Sequence, residues 1–253
     1  MSGLIRAEFR KVLTTKLWWG MLLGSMALAA LGVIGQIASN GTSGNDTPGL
    51  DTTQTQQSVF SSAGAAGIFI MIVGIIGITT EYRHFTSRPT FLIEPRRGRV
   101  IVAKLLVFAV VGIVYSLVCV AEAIAIAVPW LSLKNVSVGW ESKQIIAVLA
   151  LTALGVAIYA LVGVGIGVLI HNQIAAVIGS LAYFLVIENL ISIIPGVKVI
   201  HKFLPGATAN AITDLGHYNH DLLRWWQGAI LLIAWGLFFA VLGWVLTVRS
   251  DVP

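Results

Sequence analysis

Six long apolar segments decide what this chain can fold into. An α-helix needs about 20 apolar residues to cross a bilayer, and each segment has about that length or more. They cover approximately residues 17–38, 60–79, 100–128, 144–170, 174–194 and 225–248. Only 11% of the residues are charged, whereas soluble domains are about 25% charged. The sequence therefore predicts an all-α integral membrane protein with six transmembrane helices, folded as a single domain over residues 1–253.

The distribution of basic residues predicts the topology, because Lys and Arg are retained on the cytoplasmic side of membrane proteins. With six spans and both termini inside, eleven of these residues fall inside and five outside. The inside set is Arg6, Arg10, Lys11, Lys16, Arg83, Arg88, Arg96, Arg97, Arg99, Lys104 and Arg249. The outside set is Lys134, Lys143, Lys198, Lys202 and Arg224. The net charge of +5 thus indicates a multi-pass protein of the cell membrane and not a nucleic-acid partner.

The N-terminal segment Ser2–Lys16 mixes charged and apolar residues at helical spacing. Its apolar members include Leu4, Phe9 and Val12, and they alternate with charges in the manner of an amphipathic helix lying in the membrane interface. The residues assigned to this interfacial helix are Arg6, Glu8, Phe9, Arg10 and Lys11. The alternative is an ordinary charged N-terminus before a span. The following apolar run is too long for a cleaved signal peptide.

A short basic linker, Glu81–Lys104, separates spans 2 and 3 and reads EYRHFTSRPTFLIEPRRGRVIVAK. Its five arginines predict a cytoplasmic position. Its interleaved apolar residues predict short helical pieces lying flat below the membrane, interrupted at Pro89. The alternative is a simple anchor that fixes topology and binds lipid headgroups. An anchor of that kind would need neither the acid Glu81 nor the aromatic residues.

Residues 195–224 form a second unusual connection, between spans 5 and 6. The segment is too apolar for a free loop and too interrupted to cross the membrane. Two short helices around Pro205 that dip back into the external leaflet fit better. Such broken backbone is tolerated at membrane depth only where protein or a water-filled cavity covers it. The residues assigned to these re-entrant helices are Pro195, Phe203, Leu204 and Pro205.

Three segments together resemble the permeases of type-2 ABC exporters. Glu81-Tyr82-Arg83-His84, followed by Thr86, Pro95, Arg97 and Ala103-Lys104, resembles the cytoplasmic loop after their second span. Residues 6–16 resemble their connecting helix, and Phe203–Ala207 resembles their paired external re-entrant helices. This chain departs from the family pattern at Phe85, where a small residue is expected, and at Pro89, which interrupts the helix.

The resemblance implies a coupling helix that docks on a separate ABC ATP-binding subunit. The residues it assigns to docking are Glu81, Tyr82, Arg83, Phe85, Thr86 and Arg88. It also implies a second permease copy, as a homodimer or heterodimer, and two ATP-binding subunits that hold ATP and Mg²⁺. The chain itself has no phosphate-binding Gly-x-x-x-x-Gly-Lys-Ser/Thr motif, so we expect no cofactor and no ATPase activity on it. Substrates of such exporters include drugs, peptide antibiotics, lipids and polysaccharide precursors.

Two acids, Glu122 and Glu188, lie well inside predicted spans. A charge at the bilayer centre costs at least about 2.5–3.5 kcal/mol, so each acid must be protonated, paired or exposed to a polar cavity. We therefore assign Glu122, Glu188 and the adjacent Asn189 to a candidate translocation path. An interhelical hydrogen bond is the structural alternative for either acid.

A secondary transporter or channel that uses these two acids as ion sites is the alternative function. Such proteins often carry broken helices at corresponding positions of two repeated halves. The sequence predicts one broken region, residues 195–224, and no counterpart in the first half, which favours the exporter.

Two shorter motifs carry less information. Gly163 and Gly167 have the spacing that lets membrane helices approach closely. His217 and His220 are three residues apart but lack a clear third ligand, so no metal site is predicted.

Overall fold

The computed structural model describes residues 2–40, 48–83, 97–194, 197–214 and 222–249, and these residues form helices and short connections without a strand. The helices are α1 Ser2–Thr14, α2 Leu17–Ser39, α3 Thr53–Ser61, α4 Gly67–Arg83, α5 Arg97–Leu133, α6 Lys143–Leu169, α7 Gln173–Ala182, α8 Glu188–Ile193, α9 Lys198–His201, α10 Pro205–Thr213 and α11 Trp225–Arg249. A 3₁₀ turn, Ser62–Ala66, joins α3 to α4, and a π-helical turn, Tyr183–Ile187, joins α7 to α8.

Six stretches of the described chain are long and apolar enough to cross a membrane, which confirms the predicted all-α membrane fold. They are Leu17–Ser39, Thr53–Arg83, Gly98–Leu133, Lys143–Leu169, Gln173–Ile193 and Trp225–Leu246, numbered spans 1 to 6. The depth of α1 in the interface, and of α9 and α10 in the bilayer, stays a prediction.

Span 2 begins earlier than the sequence predicted. The sequence placed its start at about residue 60, but Thr53–Ser61 is already helical. The side chain of Thr52 accepts a hydrogen bond from the backbone N–H of Thr55 and so caps this helix. The buried amide of Gln56 donates to the carbonyl oxygens of Leu50 and Ser137, at 3.1 and 3.0 Å. These bonds hold a polar sequence in a helix that hydropathy alone does not predict.

Span 3 also runs further than predicted. The sequence placed its end at about residue 128, whereas α5 continues through Pro129 to Leu133. Proline removes a backbone donor and disturbs the preceding turn. Leu131 is nevertheless completely buried among apolar residues of neighbouring helices, and this packing keeps the last turn helical.

Span 4 lies at the centre of the bundle, where α6 packs against α4, α5 and α11. A methyl group at Gly163 would collide with the carbonyl oxygen of Met71, and one at Gly167 would lie 3.0 Å from that of Ile75. The two glycines therefore let α6 and α4 approach at backbone distance, as their spacing predicted.

Span 5 is the least enclosed span. Within an apolar stretch of 18 residues, only 17% of the residues of span 5 are buried, against 50% for span 4. Gly179 faces open space, and the neighbouring Ile178 is exposed. A membrane helix with so much uncovered surface faces lipid or a second protein chain.

Candidate functional site

Four charged side chains meet where α1 packs against the end of α4 and the first turns of α5. The ammonium nitrogen of Lys104 lies 2.5 Å from a carboxylate oxygen of Glu8 and 2.5 Å from one of Glu81. The ammonium nitrogen of Lys11 lies 2.7 Å from Glu8 and 2.8 Å from Glu81. Two acids thus alternate with two bases in a closed ring, called the ion ring below.

Burial explains why these charges are paired so completely. Glu8 is only 2% exposed and Lys104 only 4% exposed, and a buried charge is stable only when it is paired and hydrogen-bonded. Burial by itself would lower the pKa of Lys11. The hydrogen bonds of Lys11 to Glu8 and Glu81 outweigh the effect of burial, so the pKa of Lys11 is raised above the ordinary 10.5. Lys11 therefore stays charged throughout the neutral range.

The described part of the predicted docking segment lies on α4 and not in a loop, because α4 continues to Arg83. Glu81 points into the ion ring, and Arg83 is exposed. The ring of Tyr82 packs edge-on against the imidazole of His171, with centroids 4.2 Å apart. Burial lowers the pKa of His171 below its ordinary 6.5. Phe85, Thr86 and Arg88 lie outside the described residues.

The residues predicted for the interfacial helix divide between two environments. Glu8 and Lys11 belong to the ion ring, whereas Arg6 and Arg10 are exposed and Phe9 is partly buried. The partnership of Glu8 with Lys104 was not predicted. The two residues are 96 positions apart, and the sequence alone marked Lys104 only as a cytoplasmic basic residue and as part of the linker that resembles the family's loop.

Glu188, on span 5, caps the short helix α10. Its carboxylate is buried and accepts the backbone N–H of Gly206 at 2.9 Å and that of Ala207 at 2.6 Å. These groups belong to the first turn of α10, where N–H groups lack partners within the helix and the helix dipole favours negative charge. A side chain at Gly206 would have no room, since a methyl group there would lie 2.7 Å from Glu188.

A cavity of about 350 Å³ lies beside α10, between spans 2, 4 and 5. About half of the residues that line it are polar, none of these is charged, and they bring hydroxyl and amide groups together. They include Ser61, Ser62, Thr152, Tyr159, Asn189, Asn210 and Thr213. The hydroxyl of Thr152 is buried without a hydrogen-bond partner among the described residues. This space is called the polar cavity below.

A second cavity, of about 370 Å³, shares Ser61, Ser62, Asn210 and Thr213 with the first. It extends past Gln57 to Gln36 and Asp214, which lie near the end of the bundle opposite α1. The two cavities together form a polar route from the middle of span 4 to that end. Of the three residues assigned to a translocation path, Asn189 lines this route. Glu188 and Glu122 are absent from the described lining of both cavities.

The family described as ABC-2 family transporter protein matches residues 4–189 of this chain. The chain belongs to that family. A comparison with curated proteins found no match. The protein is therefore a permease component of an ABC transporter and, with six apolar helices, a multi-pass membrane protein. Permeases of this family in general assemble as dimers with ATP-binding subunits, and the permease is not itself the ATPase.

The matched region of this ABC-2 permease includes the ion ring and Glu188 but ends before α9, α10 and span 6. Two short helices do occupy the position predicted for re-entrant helices. The indole N–H of Trp235 on α11 donates to the carbonyl oxygen of Phe203 at 2.9 Å, and Leu204 and Pro205 begin α10. Pro195 lies outside the described residues, as do His217 and His220.

Glu122 has a different environment from Glu188. One of its carboxylate oxygens is buried and has no hydrogen-bond partner within the described ranges. The family match does not assign a role to this residue, and its place in a path stays a prediction.

Proposed function

We propose that this ABC-2 permease is the membrane subunit of an ATP-driven exporter, coupled through Glu81–Arg99 to a separate ATP-binding subunit. The ion ring carries this proposal. Glu81 lies on the last turn of α4, where the linker begins. Lys104 lies on the first turns of α5, where the linker ends, and Glu8 and Lys11 belong to α1. A force applied to the linker would therefore act on α1, α4 and α5 together, because three short ion pairs join these helices to one another.

The proposed assembly contains two permease copies and two ATP-binding subunits. Both termini and the linker face the cytoplasm, as the excess of basic residues on that side supports. Phe85, Thr86 and Arg88 would dock on the partner, whereas the side chain of Arg83 lines a cleft beside α1. ATP and Mg²⁺ would bind to the partner.

The polar cavity is the part of the translocation path that we assign to this chain. Its hydroxyl and amide groups offer hydrogen bonds at a depth where lipid offers none. Asn189 contributes to its wall, and Glu188 positions α10, which forms another side of it. Uncharged polar groups suit a path, because they bind a passing substrate without the desolvation cost of a buried charge.

The secondary transporter is less well supported. Family membership favours the exporter, and the two backbone N–H groups held by Glu188 favour a structural role for that acid. In the first half, the 3₁₀ turn Ser62–Ala66 joins α3 to α4 within one continuous span and is not a counterpart of the break predicted for residues 195–224. The contrast between the two halves stays a prediction, and the family match favours the exporter.

Co-purification with the ATP-binding subunit tests the coupling proposal. We expect the double variant Phe85→Ala and Arg88→Ala to lower partner binding about tenfold, the loss typical of one interface hot spot, and transport to fall with it. Insertion should be unchanged, because Arg96, Arg97 and Arg99 remain. The matched control is Lys134→Gln with Lys143→Gln, which removes two charges at the opposite end. Unchanged partner binding and transport in the Phe85/Arg88 variant would overturn the proposal.

The anchor alternative gives the opposite pattern. If the linker only fixes topology, replacing Phe85 and Arg88 should change neither partner binding nor transport. Neutralising Arg96, Arg97 and Arg99 together should then disturb insertion. Mapping the accessibility of introduced cysteines from each side of the membrane distinguishes these outcomes, since it reports topology independently of partner binding.

A further inference from the structure

A separate cleft of about 300 Å³ opens at the end of the bundle where α1 lies. Residues of α1, α2, α4, α5 and the start of α7 form its walls. It is distinct from the polar cavity, because the described residues that line the two spaces do not overlap.

The α4 wall of this cleft changes character along its length. Arg83 and Thr80 line its outer part, and Ile76 and Val73 continue the same face one and two turns deeper. From Val73 to Arg83 the helix rises ten steps, or about 15 Å at 1.5 Å per residue. Trp18 and Phe108 add aromatic surface opposite the apolar part. The cleft is thus polar at the membrane surface and apolar toward the bilayer interior, the polarity profile of an amphiphile.

The charges at the polar end are unbalanced in favour of the positive sign. Lys11 and Glu8 line the cleft but belong to the ion ring, whose two acids and two bases cancel. Arg83 adds one further positive charge, and the ion pairs among the described residues do not include it. The hydroxyl of Thr80 and the side-chain amide of Gln173 are further donors there.

We propose that this cleft binds one anionic phospholipid from the surrounding leaflet. The phosphate would lie at Arg83, with Thr80 and Gln173 as additional donors, and an acyl chain would extend along Ile76 and Val73. Basic pockets between transmembrane helices bind anionic headgroups by the same chemistry. Free inorganic phosphate could satisfy the polar end alone, but it would leave the apolar part of the cleft empty.

The bound lipid would lie between α1 and α4, directly beside the ion ring. It would therefore help to hold α1 against the bundle, a role that does not depend on the ATP-binding subunit or on the direction of transport. A test on the permease alone thus separates this proposal from the proposed function.

Lipid retention measured by native mass spectrometry tests the site. The full chain is reconstituted with equal amounts of phosphatidylglycerol and phosphatidylcholine and then extracted into detergent. We expect one phosphatidylglycerol to be retained preferentially per chain. Arg83→Gln should weaken that retention about tenfold, the effect of losing one charge-assisted hydrogen bond. It should affect phosphatidylcholine less, because the choline cation offsets the charge of its phosphate. Ile76→Trp should lower retention of both lipids by filling the apolar part.

The matched control is Lys16→Gln, which removes an exposed cation at the same end of the bundle from a residue that does not line the cleft. An equal loss in Lys16→Gln and Arg83→Gln would show general surface attraction and overturn the proposal, as would equal retention of the two lipids by the wild-type chain. Displacement of the lipid by inorganic phosphate would show a phosphate site in place of a lipid site. Because Arg83 is exposed, the Arg83→Gln variant should fold normally. Its lipid retention therefore tests the proposed site even if Ile76→Trp is unstable.

Discussion

The carboxylate of Glu188 accepts the backbone N–H of Ala207 at 2.6 Å, and this contact ties span 5 to the first turn of α10. An acid inside a membrane span is expensive and commonly marks a functional position. Here the carboxylate satisfies N–H groups that α10 cannot satisfy by itself. The residue therefore supports the wall of the polar cavity without lining it.

Removing this cap should destabilise the protein. Glu188→Ala leaves two buried N–H groups without an acceptor, and we expect it to lower the free energy of unfolding by about 1–3 kcal/mol. Glu188→Gln should cost less, because its amide oxygen still accepts one hydrogen bond. Thermal unfolding midpoints in detergent measure both. The control is Asn189→Ala, an exposed neighbour, and a Glu188→Ala variant as stable as this control would contradict the capping role.

The ion ring should show strong coupling between Glu8 and Lys104. Lys104→Met leaves a buried carboxylate with one partner fewer and should cost about 3–5 kcal/mol, as when one partner of a buried pair is removed. The double variant Lys104→Met with Glu8→Gln should recover part of this loss, because the unpaired charge is gone. A double-mutant cycle on unfolding in a denaturing detergent measures the coupling. Additive effects of the two substitutions would show that the pair does not interact.

The close approach of α4 and α6 should make Gly163 intolerant of a side chain. Gly163→Ala would force the helices apart at Met71, and overpacking of this kind typically costs about 1–3 kcal/mol. Gly179→Ala is the matched control, because Gly179 has no atom nearby. Equal unfolding midpoints for the two variants would show that the helices separate without cost.

Mild acid should weaken the contact between Tyr82 and His171. Burial lowers the pKa of His171 below 6.5, so below pH 6.5 the unfolded chain binds a proton that the folded chain resists. The unfolded state is then favoured, and stability falls as the pH decreases from 6.5 toward the folded pKa. The effect should be small, because His171 is only partly buried. His171→Phe should remove it, which unfolding midpoints at pH 7.5 and 5.5 would reveal as a smaller difference than in the wild type.

The polar cavity should be accessible to water-soluble reagents from the side opposite α1. In a Cys119→Ala background, Asn210→Cys should react with a membrane-impermeant thiol reagent, because a thiol reacts only where water allows a thiolate to form. The control Ala182→Cys is exposed on span 5 and should stay unreactive where lipid covers it. If Asn210→Cys does not react when the reagent is added to either side of the membrane, the polar cavity is not open to water.

The sequence by itself determined the fold class, the six spans and the family. Each of these properties can be read from a continuous stretch of sequence. The thickness of the bilayer sets how many consecutive apolar residues a spanning helix needs, and the linker residues that resemble the family lie within one segment. Local signals failed where tertiary contacts override them. The polar Thr53–Ser61 is helical because Thr52 caps it and Gln56 is bonded within the bundle, and α5 passes Pro129 because Leu131 is buried.

The partners of the buried charges were decided only by the tertiary structure. The cost of burial predicts that Glu8, Lys104 and Glu188 need partners, but hydropathy does not say which helices meet. Lys104 reaches Glu8 across 96 positions because α1 packs on α5. Glu188 reaches Ala207 because α10 returns to span 5. Such pairs depend on how whole helices pack, and no single segment of sequence contains that information.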